Sequence, residues 1–190
     1  SDEIHCDLLR EDKIFTPMAS LFPHSNQIIT CMAPSKTFNL AGNLFANIII
    51  PNDELRKKYN ATYLPIENPL SIVTAQAAYT DGHDWLVELS DYLDNNFKYV
   101  KTQLDKHLPF TKFIIPEATY LAWVNVNHYF NDNENLTLFF ARNAGVLLEG
   151  GDMFVANANG YIRLNLACPR ARLQEGIKRI ITAILEKTSK

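Results

Sequence analysis

The sequence predicts an α/β layer over residues 1–83, a long helix over 84–108 and a compact α+β unit over 109–190. Three observations carry that reading. Apolar runs at residues 27–32 and 43–51 have the length and texture of buried strands in a parallel sheet. From Trp85 to Leu108, apolar residues recur at three- and four-residue spacing with charges between them. After Pro109 the texture changes to short, aromatic-rich strands broken by polar turns, with one amphipathic helix at the end.

The elements follow in order. Residues 1–9 read as a strand end running into a loop, and residues 15–22 as mildly helical. Asn52 is placed to cap a short helix with Asp53 and Glu54 early and Lys57 and Lys58 late, as the helix dipole prefers. Residues 71–80 form an Ala-rich helix, apolar at almost every position, which predicts burial all round. Gly82 breaks it. Asp84 then caps the long helix whose stripe is Trp85, Leu89, Tyr92, Leu93, Phe97, Val100, Leu104 and Leu108. Such a helix is long for one small domain and can bridge two. Strands are expected at 112–115, 119–126, 145–148 and 161–166, a polar turn at 131–135 and a helix at 136–143. The last helix, 172–187, carries Leu173, Ile177, Ile180, Ile181, Ile184 and Leu185 on one stripe.

Composition narrows the class. With 190 residues, 47% hydrophobic and 21% charged, the chain can bury a core and is not of disordered type. A net charge of -3 offers no broad basic surface, so no nucleic-acid partner is expected. No apolar run approaches the roughly 20 residues that span a bilayer, and no membrane partner is expected. Ser1-Asp2-Glu3 is acidic and no apolar h-region follows, so no signal peptide is expected. The three cysteines, Cys6, Cys31 and Cys168, show no metal spacing, which favours reduced thiols and a cytoplasmic setting. The opening lacks Met and reads as the tail of a strand, so a fragment is expected.

Lys36 carries the chemistry. It lies in Ala33-Pro34-Ser35-Lys36-Thr37-Phe38-Asn39-Leu40-Ala41-Gly42, directly after an apolar run, where a strand stops. An amine held there can form a Schiff base with an aldehyde cofactor. A surface lysine lying along apolar neighbours is the alternative. Such a cofactor would call for a carboxylate for a pyridine nitrogen and an arginine for a substrate carboxylate. Asp2, three residues before His5, is open to three readings: metal ligation, acid/base chemistry or a polar loop. In Tyr161-Ile162-Arg163-Leu164-Asn165, alternation puts Arg163 and Asn165 on one face, where they can grip a carboxylate; a structural salt bridge is the alternative.

Taken together, these segments resemble a specific family. Ser1-Asp2-Glu3-Ile4-His5, residues 35–42, and Tyr161 to Asn165 followed by Cys168-Pro169-Arg170 stand in the order and spacing of fold-type I pyridoxal-phosphate enzymes. The match is nearest to the cystathionine β-lyases of the class I/II aminotransferase-like group, the MalY or PatB type. Ala77-Ala78-Tyr79, Gly82, Trp85 and Glu117 to Trp123 echo it, so the resemblance covers essentially the whole chain.

The resemblance implies roles. Residues 1–83 would be the C-terminal part of the cofactor-binding large domain, 84–108 the interdomain helix and 109–190 the small domain. Lys36 would bind pyridoxal 5'-phosphate covalently and act as general base at the substrate Cα. Asp2 would partner the pyridine nitrogen, His5 would stand beside the ring hydroxyl, and Ser35 would donate to the phosphate. Arg163 would clamp the α-carboxylate of an amino-acid substrate. The implied reaction is β-elimination of a thiol, leaving pyruvate and ammonia. The family is homodimeric, its partner subunit completing the site, and its N-terminal half supplies the phosphate cup. The chain alone is therefore expected to be inactive.

Three positions depart from the pattern. Leu44, after Asn43, stands where many aminotransferases carry a phosphate-binding arginine, which favours the lyases. Phe154-Val155 replaces a usual Phe-Gly, and Asn125 replaces the acid after the tryptophan. An aminotransferase is the runner-up. A non-catalytic binding or regulatory module of the same fold is a third reading, against which the intact set Asp2, Lys36 and Arg163 argues.

Overall fold

The computed structural model describes residues 1–63, 66, 68–131, 134–154 and 158–189. The chain divides into two compact units. One comprises Ser1–Asp91 with Glu117–Thr119, and the other Tyr92–Pro116 with Tyr120–Lys190.

The first unit is α/β. After helix α1 (Met18–Leu21) comes strand β1 (Thr30–Met32), a single helical turn α2 (Pro34–Thr37) and a 3₁₀ turn over Ala41–Asn43. Strand β2 (Asn47–Ile49) returns antiparallel to β1, pairing Thr30 with Ile49 and Met32 with Asn47. Parallel pairing is present on the other side of β1, as a bridge between Asp2 and Cys31. The β1–β2 connection holds only short turns rather than a crossover helix, and such a link brings the chain back antiparallel. Helix α3 (Asp53–Thr62) starts at Asn52, whose Oδ1 accepts from the amides of Glu54 (2.9 Å) and Leu55 (3.0 Å). Helix α4 (Pro69–Asp81) starts at Asn68 with Pro69 in its first turn.

Two burial expectations fail here. In α4 only Ser71 and Ala75 are buried, while Leu70, Ile72 and Val73 are exposed. In β2, Ile48 and Ile49 are exposed as well. Both elements are apolar on more sides than the residues of this unit cover.

Helix α5 (His83–His107) follows at once, its first turn closed by the Leu86 amide on the Gly82 carbonyl at 3.0 Å. Its C-terminal portion enters the second unit, where Leu93, Phe97, Val100 and Leu104 are buried. There β3 (Lys112–Phe113), β4 (Leu121–Asn125), β5 (Glu149–Gly150) and β6 (Tyr161–Asn165) form an antiparallel sheet in the order β3-β4-β6-β5. Helix α6 (Leu136–Asn143) begins at Asn135, whose Oδ1 accepts from the Leu138 amide at 2.8 Å. Helix α7 (Arg170–Thr188) presents most of the expected stripe, with Leu173, Ile177, Ile180, Ile181 and Ile184 buried and Leu185 at its edge exposed. These side chains join Ala122, Val124, Ile162 and Leu164 in one core, each large one contributing roughly 1.5–3 kcal/mol of burial. The strand expected at 145–148 falls instead at Glu149–Gly150, because Gly145 takes a left-handed φ of 62° that ends α6. The expected turn at 131–135 includes Asp132 and Asn133, and the Phe154-Val155 departure includes Val155; those three lie outside the described residues. Among the described residues no helix is long and apolar enough to cross a membrane.

Candidate functional site

Lys36 sits on α2, four residues beyond the end of β1. Ala33 is the last extended residue (φ -154°, ψ 151°), and Pro34 opens the turn. The Phe38 amide donates to the Pro34 carbonyl at 2.8 Å and the Leu40 amide to the Ser35 carbonyl at 3.0 Å. Asn39 then adopts φ 55°, a left-handed conformation that Asn tolerates. Ser35 and Lys36 are both half-buried, and Thr37 is completely buried.

Two contacts hold this turn. The Thr37 hydroxyl donates to Asp7 Oδ2 at 2.9 Å. The Phe38 ring packs against Trp85 (5.7 Å) and edge-on against Tyr79 (6.1 Å). Gly82 makes that packing possible, since a Cβ there would lie 2.3 Å from the Ala78 carbonyl oxygen and 2.5 Å from Phe38 Cε1.

Asp2 lies on the strand segment beside β1. The Cys31 amide donates to the Ser1 carbonyl, and the Glu3 amide to the Cys31 carbonyl, both at 2.8 Å. That ladder sets Asp2 level with Cys31, five residues before Lys36. Its carboxylate is exposed, and Oδ1 accepts from the Ile4 amide at 3.2 Å. His5 is half-buried in the turn that follows, its carbonyl accepting from the Leu8 amide at 3.1 Å. Next to it, burial and then the Asp7 charge push the Cys6 thiol up to about 11. Burial, followed by the charges of Asp7 and Cys6, also raises the Tyr79 hydroxyl, which accepts from Asn47 Nδ2 at 3.4 Å. Among the described residues no three His, Cys, Asp or Glu side chains are grouped to hold a metal. The first unit thus brings Asp2, His5, Ser35 and Lys36 onto two adjoining segments.

Arg163 belongs to the second unit. Burial alternates along β6, with Ile162 and Leu164 inward and Arg163 and Asn165 on the opposite face. Register pairs Arg163 with Trp123 on β4 and with Glu149 on β5. Arg163 Nε donates to Glu149 Oε2 at 2.6 Å, and Nη2 closes on the same oxygen. The guanidinium lies 4.4 Å from the Phe154 ring centre. Trp123 stacks on Tyr161 at 5.2 Å and meets Phe154 edge-on at 5.5 Å, so Arg163 stands on an aromatic bed. Asn165 Oδ1 is committed to the Ala167 amide at 2.9 Å, and its amide nitrogen is the part that can donate. A cavity of about 620 Å³ adjoins this corner, lined by Leu147, Glu149, Arg163, Cys168, Arg172 and Ile177 among others.

Sequence reasoning missed Asp7, Thr37 and Glu149. Asp7 stands two residues past His5, so the close spacing of Asp2, His5 and Asp7 was a signal. Nothing in the sequence marks Glu149, whose role comes from strand register.

The family model described as "Aminotransferase class I and II" matches residues 1–180. The cystathionine beta-lyase PatB of Bacillus subtilis (strain 168) is 37% identical over 97% of this chain and 49% of its own length. Protein MalY of Escherichia coli (strain K12) is 29% identical over 97% of this chain and 48% of its own. The crystal structure of the PLP-bound C-S lyase from Staphylococcus hominis superposes with a TM-score of 0.95 at 47% identity, covering 98% of this chain and 49% of that one. The chain spans about half the length of the relatives it matches.

Proposed function

Because the chain belongs to the class I and II aminotransferase family, we propose that the protein works as a pyridoxal-phosphate-dependent carbon–sulfur β-lyase. It would eliminate a thiol from an amino acid and leave pyruvate and ammonia. One observation carries the reading. A half-buried lysine follows the end of β1, and an aspartate lies level with that strand on the segment beside it.

The residues fit such a cofactor by the chemistry of their donors. Lys36 offers a primary amine to an aldehyde. Asp2 offers a carboxylate to a ring nitrogen, His5 an imidazole to a ring hydroxyl, and Ser35 a hydroxyl to a phosphate. The bound cofactor would supply the electron sink for a carbanion at the substrate Cα.

The remaining work falls to the chain's own side chains. Arg163 would take the substrate α-carboxylate through charge-assisted hydrogen bonds and fix the direction of the Cα–H bond. Lys36 Nζ would accept the Cα proton, acting as general base. The Asp2 carboxylate would favour a protonated partner nitrogen. Thr37, bonded to Asp7, and Phe38, wedged between Tyr79 and Trp85, would limit the wander of the turn that carries the amine. Leu44 is 89% exposed in a left-handed conformation, and no arginine stands there to grip a phosphate. That supports elimination over transamination, as do the names of the lyase relatives.

The same reading assigns residues 1–83 to the cofactor-binding domain, 84–108 to the interdomain helix and 109–190 to the small domain. It places the protein in the cytoplasm as a homodimer. The test uses the full-length protein with cystathionine and no keto-acid acceptor. Pyruvate should be released, and Lys36→Ala should lower its rate by about 10²- to 10⁴-fold. Faster amino transfer to an added keto acid than pyruvate release would overturn the lyase reading. Undiminished turnover in Lys36→Ala would overturn the role of the lysine.

A further inference from the structure

We infer that Glu149 is a positioning residue for substrate binding: it holds one edge of the Arg163 guanidinium so that the opposite end is left to receive a carboxylate. The inference rests on the reading of Arg163 as the carboxylate site. A guanidinium carries five N–H donors in a planar fork. Glu149 Oε2 takes the Nε donor and one from Nη2, which is the side edge. The two Nη1 donors take no part in that contact. One of them and the remaining Nη2 hydrogen form the end of the fork, the geometry that binds a carboxylate bidentately. Phe154 lies at the guanidinium at 4.4 Å. Edge and ring together fix the orientation of a side chain that otherwise has many rotamers. The pairing is built into the sheet, because register places Glu149 directly across from Arg163.

Glu149 has two opposing effects on an incoming carboxylate. It removes the entropy cost of ordering Arg163, and its charge repels the ligand. A comparison of Glu149→Ala with Glu149→Gln separates them. Both variants lack the charge, and only Gln keeps an oxygen that can accept from Nε and Nη2. The probe is propionate, a carboxylate with no amine to react, titrated by calorimetry into the full-length, cofactor-bound protein.

Immobilising one long side chain predicts a propionate Kd about five- to tenfold weaker in Glu149→Ala than in Glu149→Gln. The same ratio should appear in KM for cystathionine, with kcat unchanged between the two variants. A purely structural defect would instead lower the urea midpoint and the active fraction, and so kcat. Equal propionate affinity in the two variants, or tighter binding by Glu149→Ala, would overturn the inference. Arg163→Ala is the control for the underlying reading. If that change abolishes propionate binding while the Glu149 variants match, only the role of Glu149 has failed. If it leaves binding intact, the carboxylate site itself has been misplaced and the inference falls with it.

Discussion

Gly82→Ala tests whether the turn bearing Lys36 is braced from α4 and α5. The added Cβ would lie 2.5 Å from Phe38 Cε1 and 2.3 Å from the Ala78 carbonyl oxygen. Carbon atoms in contact prefer about 3.5–4.0 Å, so the ring has to withdraw by about 1 Å. It cannot swing freely, because Trp85 and Tyr79 lie against it. Overpacking of this kind costs about 1–3 kcal/mol. The Ala78 carbonyl has to shift as well, but φ -83° itself is open to alanine, so the stiffer unfolded chain returns about 0.4–1 kcal/mol. The net destabilisation is about 1–2 kcal/mol. The assay is urea unfolding followed by tryptophan fluorescence in a Trp123→Phe background. That change leaves Trp85, the other of the two tryptophans, as the reporter. The decisive comparison is a double-mutant cycle with Phe38→Ala. With the ring gone, part of the Gly82→Ala cost should disappear, giving a coupling above about 0.5 kcal/mol. Strictly additive costs would refute the brace.

The other expectations are more direct. Thr37→Val removes the only donor that Thr37 aims at Asp7 and should cost about 1–2 kcal/mol by urea unfolding, less in an Asp7→Asn background. Cys6, held up to about 11, should be alkylated by iodoacetamide at pH 8.5 more slowly than a free cysteine, as read by mass spectrometry of the labelled peptide. The same shift sets the sign of its pH effect. The folded chain holds the thiol proton more tightly than the unfolded one, so stability should decline as pH rises from about 9 towards 11. Gly160→Ala, at φ 78° and with its Cβ 2.3 Å from Asn127 Oδ1, should cost about 2 kcal/mol or more in the second unit. The 190-residue chain by itself should release little or no pyruvate from cystathionine, and measurable elimination with a cofactor absorbance band near neutral pH would contradict this.

Helices α5 and α7 were legible because most of one face of each is buried, with Trp85 and Tyr92 on α5 and Leu185 on α7 the exposed exceptions. Phe97, Val100 and Leu104, like Ile177, Ile180 and Ile184, repeat at helical spacing and are buried as that spacing demands. Helix α4 was legible as a helix and misread as a buried one. Ile72 and Val73 are as apolar as any core residue, and periodicity cannot say whether a covering surface belongs to the same unit. The direction of β2 was likewise beyond the pattern, since the apolar run at 43–51 carries no sign of parallel or antiparallel pairing.

The candidate site divides along the same line. Lys36 and Arg163 stand out in the sequence because the order of segments around them is distinctive, and the burial alternation along β6 follows from a period of two. Their supports were not, because each depends on a meeting of segments that local sequence does not encode. Asp7 meets Thr37 across 30 positions, and Glu149 meets Arg163 across 14. The second case also turned on a small displacement. A strand at 145–148 would have put Glu149 outside the sheet, whereas a left-handed Gly145 delays the strand until Glu149 itself pairs with Arg163. Register across from Arg163 is what lets Glu149 hold the arginine by its edge, and the salt bridge once set against the carboxylate-binding reading becomes the device that would prepare it.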